Sequence, residues 1–145
     1  MDPPPRRVVA RARAIAEALF ATEAGPPPAA RLAWLLDDFG DFAAHAGPRA
    51  RFLLALCSFA VTWLAPLMVW RLPPLARLSV ADRSEAIERL ERTPLSVAVL
   101  GIKAILCILY WEHPDAMREM GADRTCLTSG EPEALAAVAG EERPA

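Results

Sequence analysis

Between Phe52 and Trp70 the chain reads FLLALCSFAVTWLAPLMVW, nineteen residues without a charge. Arg49 and Arg51 precede this run and Arg71 follows it. At about 1.5 Å of rise per residue, a helix of that length spans ~28 Å, close to the ~30 Å hydrocarbon thickness of a bilayer. A helix that is apolar on every side must be covered on every side, by lipid, by its own chain or by another protein. Which of the three applies determines both fold and function.

The 145 residues suffice for one domain with its own core. Their hydrophobic share of 54% exceeds the usual ~45–50%. Alanine, leucine and arginine dominate and β-branched residues cluster only briefly, so the expected fold class is all-α. The architecture expected is a small irregular bundle of about five to six helices with a flexible C-terminal tail. A proline-rich lead occupies residues 1–5, a single helical domain 6–122, and a tail or partner-binding arm 123–145.

Within that domain, Val8, Ala12, Ile15, Ala16 and Leu19 recur at helical spacing, with Arg13 and Glu17 placed for an i,i+4 pair. After the prolines at 26–28, Leu32, Leu35, Leu36, Phe39 and Phe42 mark a second amphipathic helix. Asp37, Asp38, Asp41 and His45 fall outside its apolar face and read as solvated. In the central run, Ser58, Thr62 and Pro66 form a polar seam, and Pro66 either kinks the helix or ends it. Ser79 is placed to cap a hydrophilic helix, VADRSEAIERLERT, with Glu85–Arg89 and Glu88–Arg92 as surface pairs. A second apolar run, Leu95 to Trp111, is interrupted only by Lys103; Ser96, Lys103 and Tyr110, seven apart, read as a narrow polar stripe on it. A short helix from Asp115 should stop at Gly121.

Neither metal nor catalytic chemistry is signalled. Cys57, Cys107 and Cys126 are dispersed, as are His45 and His113, and none has paired-ligand spacing. No nucleophile is placed beside a base. A net charge of −2 gives no nucleic-acid footprint. Arg6 and Arg7 form a twin-arginine pair, but Arg11, Arg13 and Glu17 occupy the stretch where an uncharged core would follow, so no export signal is expected. With free cysteines, this points to the cytoplasm or the cytoplasmic face of the membrane.

Two segments carry a family resemblance. ARAIAEALF at 12–20 is similar to the opening helix of gluconate 2-dehydrogenase-type small subunits. The stretch 77–123 resembles a helical region of that family and of long-chain fatty alcohol oxidases, through Leu78-Ser79, Pro94, Lys103, Tyr110-Trp111, Pro114-Asp115 and Gly121. The resemblance implies a non-catalytic accessory subunit that stabilises or localises an FAD-dependent partner of the glucose–methanol–choline class. FAD would then belong to the partner, and this chain would hold no cofactor. The residues expected at the interface are Phe52, Phe59, Trp63, Trp70, Lys103, Tyr110 and Trp111. The competing reading is a membrane-anchored module with Phe52–Trp70 in the bilayer, and a self-contained enzyme ranks last.

Overall fold

A computed structural model describes residues 6–119 and 121; the proline-rich lead and the expected tail at 123–145 lie outside the described residues. Six α-helices follow in order: α1 (Arg6–Leu19), α2 (Ala29–His45), α3 (Pro48–Met68), α4 (Val80–Glu91), α5 (Ser96–Glu112) and α6 (Pro114–Glu119). A 3₁₀ turn at Leu75–Arg77 precedes α4, and Pro73–Pro74 is a cis peptide. No strand is present among the described residues beyond one bridge pairing Thr22 with Gly25. The protein is a small all-α bundle. Helices α1–α5 belong to one compact unit ending at His113, and a second unit starts at Pro114. Within the latter, α6 stops where Gly121 takes φ +69° and its N–H donates to the Arg118 carbonyl at 3.0 Å.

The amphipathic helices bury the faces their spacing marks. Val8, Ala12, Ile15 and Ala16 of α1 meet Leu32, Leu35 and Phe39 of α2 in a shared core. Ile87 and Leu90 of α4 and Val99, Ile102 and Leu106 of α5 complete it, with Leu75 of the 3₁₀ turn fully enclosed. Helix α4 starts where the Ser79 hydroxyl accepts the Asp82 N–H at 3.1 Å, satisfying one of the free donors of the first turn. Its Glu85 pairs with Arg89 as the spacing predicts, whereas Glu88 and Arg92 do not meet.

Helix α4 is tied to the bundle by more than apolar contact. Arg83 donates to Glu17 at 2.6 Å and to the carbonyls of Leu78 and Ala76, both at 2.9 Å. The Ser84 hydroxyl donates to the Ala18 carbonyl at 3.0 Å. Glu17 also accepts from Arg13, one turn away, at 3.2 Å. Glu17 thus joins α1 to α4, and Arg83 anchors the turn that leads into α4.

Helix α3 packs against α1, α2, α4, α5 and the 3₁₀ turn. Its inward face consists of Leu54, Ser58, Val61, Thr62, Ala65 and Pro66. Thr62 Oγ1 donates to the Ser58 carbonyl at 2.6 Å, and Ser58 Oγ to the Ala55 carbonyl at 3.1 Å. Both hydroxyls are therefore satisfied within their own helix and can be buried without the cost of an unpaired polar group. Pro66 does not end the helix, which continues to Met68.

The division between inside and outside is testable by paired truncations. Phe39→Ala should lower unfolding free energy by about 3–5 kcal/mol, the cost of a large cavity in a closed core. Phe52→Ala should change it by less than ~0.5 kcal/mol, since that ring is already in solvent. Urea denaturation followed by circular dichroism measures both.

Candidate functional site

The burial of small and hydroxylated residues in α3 turns its largest side chains outward. Phe52 is 67% exposed, and Leu56, Phe59, Trp63 and Leu67 continue the same stripe. Helix α5 does likewise with Val97, Leu100, Ile108 and Trp111. A Cβ added to Gly101 of α5 would lie 3.4 Å from Cys57 Sγ of α3, so the helices approach closely there. Leu109 of α5 shares a shallow cleft with Ala50 of α3, which sets the two helices antiparallel. Cys57 and Gly101 each lie on the flank between their helix's buried and exposed faces. With ~100° of rotation per residue, this antiparallel contact places both outward stripes on the same side. The result is one apolar face about 27 Å long, from Phe52 to Trp70.

Trp70 ends the face in an unusual backbone. Its N–H donates to the Leu67 carbonyl at 3.2 Å, and that of Arg71 to the Pro66 carbonyl at 3.0 Å. This is a Schellman motif, with Trp70 at the C′ position at φ +56°. Glycine is the usual occupant, because a Cβ in the left-handed region costs roughly 1–2 kcal/mol. Trp70 nonetheless leaves 93% of its surface in solvent, and Leu72 beside it leaves 84%.

The face also has a charge frame. From residue 42 to residue 81 there is no carboxylate in forty positions, while Arg49, Arg51, Arg71 and Arg77 all fall within them. From 92 to 111 Arg92 and Lys103 are the only charges. The guanidinium of Arg11 lies over the Phe59 ring, 5.2 Å from its centroid. Arg11, Arg49, Arg51 and Arg71 make no ion pair among the described residues. The absence of acids between Asp41 and Asp82 is a signal visible in a simple charge count.

Phe52, Phe59, Trp63, Trp70 and Trp111 are all at this surface. Lys103 is half-buried and donates to Glu91 at 2.8 Å, a link from α5 to α4 worth under ~1 kcal/mol at that exposure. Tyr110 lies elsewhere. Only 6% exposed, it stacks on Phe20 with centroids 3.8 Å apart and accepts a hydrogen bond from Arg31 at 3.1 Å. The seven-residue spacing from Ser96 explains why the stripe is not straight. A straight helix drifts ~20° per heptad, so two heptads carry Tyr110 about 40° round, into the core. Arg31, whose guanidinium sits over the Tyr110 ring at 5.5 Å, is a buried cation that patterning alone misses.

Other polar groups do not converge. Asp37 and Asp41 are exposed on α2 beside an open cleft with Arg6 and Arg13, and no three potential ligands gather among the described residues. His45 holds Nδ1 2.8 Å from the Asp41 carbonyl, and His113 meets the Trp34 ring edge-on at 5.0 Å. The chain matches no family model, no curated protein and no solved structure.

Burial raises the Cys107 thiol pKa, and the nearby Lys103 ammonium lowers it by a smaller amount. The thiolate fraction at neutral pH is accordingly below that of a free cysteine. Lys103→Met removes the opposing charge, so the pKa should rise further. Iodoacetamide labelling of Cys107 at pH 8, read by peptide mass spectrometry, should be slower than for free cysteine and slower again in that variant.

Proposed function

We propose that this chain is a non-catalytic accessory subunit whose apolar α3–α5 face is completed by a larger protein. The partner implied by the resemblance at residues 12–20 and 77–123 is an FAD-dependent dehydrogenase or oxidase of the glucose–methanol–choline class. The subunit would stabilise or localise that partner in the cytoplasm or at the cytoplasmic face of the membrane. One observation carries the reading. Among the described residues every exposed large apolar side chain except Phe42 of α2 lies on α3, α5 or the residues adjoining them, and an apolar face of that extent on so small a domain marks an interaction site.

Co-expression with a neighbouring flavoprotein gene should yield a yellow complex of fixed stoichiometry. Phe59→Asp and Trp63→Asp should abolish co-purification while leaving the helical circular dichroism spectrum of the isolated chain unchanged. The reading is wrong if the two proteins purify apart and the flavoenzyme alone is equally soluble and active.

A second reading has one observation in its favour. Among the described residues α3, with 21 residues, is long and apolar enough to cross a membrane. Carbonate washing of membranes decides the point: a spanning chain stays in the pellet, and a surface-bound or soluble one is released.

A further inference from the structure

Trp70 occupies a backbone position that favours glycine and makes little use of its side chain within the fold. Trp70 thus combines a strained backbone conformation with an almost fully exposed aromatic ring, and strain of this kind clusters at sites of recognition. Trp is also the side chain that most often dominates binding energy at protein interfaces, where it fills a desolvated pocket. The adjoining charges indicate what surrounds such a pocket. Arg71 follows Trp70 directly, Arg49 and Arg51 lie at the opposite end of the face, and Arg11 sits over Phe59 near its middle. These four guanidinium groups have no carboxylate opposite them among the described residues.

We propose that Trp70 is the anchor of the α3–α5 face, seated in an apolar pocket of a protein partner whose rim carries carboxylates opposite Arg11, Arg49, Arg51 and Arg71. This rests on the accessory-subunit reading and adds the chemistry of the surface that completes it. A protein fits this face better than lipid does, because of Arg11. A guanidinium over the middle of an apolar face is penalised by hydrocarbon, whereas a partner carboxylate can pair with it in two parallel hydrogen bonds. The arginines give orientation and association rate, and Trp70 gives slow dissociation.

The experiment compares the full chain with Trp70→Gly, alone and in the complex with the co-expressed flavoprotein. Alone, Trp70→Gly should raise the melting temperature by about 4 °C, because glycine relieves the left-handed strain. In the complex it should weaken Kd by roughly 30-fold or more, the loss expected of a hot-spot aromatic. Trp70→Phe should recover most of the affinity by refilling the pocket. Arg49→Glu and Arg71→Glu should each slow association and flatten its dependence on salt.

If wild type forms the complex and Trp70→Gly binds equally well, the anchor is refuted and the accessory reading stands. If wild type forms no complex, both fall. Sedimentation with vesicles of phosphatidylcholine and phosphatidylglycerol supplies the remaining arm. Wild-type chain that pellets with them, against Trp70→Gly that does not, would transfer the anchor from a protein partner to lipid.

Discussion

The architecture depends on the way Ser58 and Thr62 are satisfied. Each hydroxyl donates to a carbonyl of α3 itself, so neither requires a partner from another helix. With Ala65 and Val61 they give α3 a narrow inward face against which α1, α4 and α5 can close. Larger side chains there would push the helices apart and leave voids that a bundle this small has no material to fill. Burying the small face forces the aromatic one outward, because a helix has only one rotation about its axis. The exposed face is thus a consequence of how the core closes.

The same logic explains why α4, the most hydrophilic helix, can sit in the bundle at all. It offers only Ala86, Ile87 and Leu90 to the core, too few apolar groups to hold it by burial alone. Arg83 compensates by donating to Glu17 and to two carbonyls in the segment leading into α4. Just past the C-terminus of α1, Arg31, Tyr110 and Phe20 form a stack that joins α2 and α5 to the residue following α1. Polar connections therefore fix helices whose apolar stripes are thin, and they fix them in one register.

Much of this was legible in the residues. The faces of α1 and α2, the Ser79 cap, the Arg13–Glu17 and Glu85–Arg89 pairs and the stop at Gly121 follow from local rules, and each occurs. The rotation of α3 was not legible from hydrophobicity, since a run apolar on every side carries almost no directional signal. The informative residues were the small ones, which are read correctly only when close approach is asked about as well as apolarity. Tyr110 departs from the polar stripe of Ser96 and Lys103 because a seven-residue spacing is not a straight line on an α-helix. The Arg83–Glu17 bridge joins residues 66 apart and lies beyond any local pattern. The surface itself was half legible: its aromatic members were, and its strained end at Trp70 was not, because a left-handed tryptophan has no sequence signature.

The packing of α3 also bears on what can cover its outer face. For α3 to cross a bilayer it would have to leave α1, α4 and α5, opening the core around Ala12, Leu75, Ile102 and Leu106, all fully enclosed in the bundle. Ser58 and Thr62, already bonded within the helix, would gain nothing from that change. Losing four enclosed side chains of this kind costs several kcal/mol each for the larger ones, a sum comparable to the ~5–15 kcal/mol that holds a domain folded. Covering the outer face in place costs none of it. Such a face can be covered from outside without disturbing the core, and in the reading proposed above the arginines around it, which make no ion pair among the described residues, would meet the carboxylates of the partner.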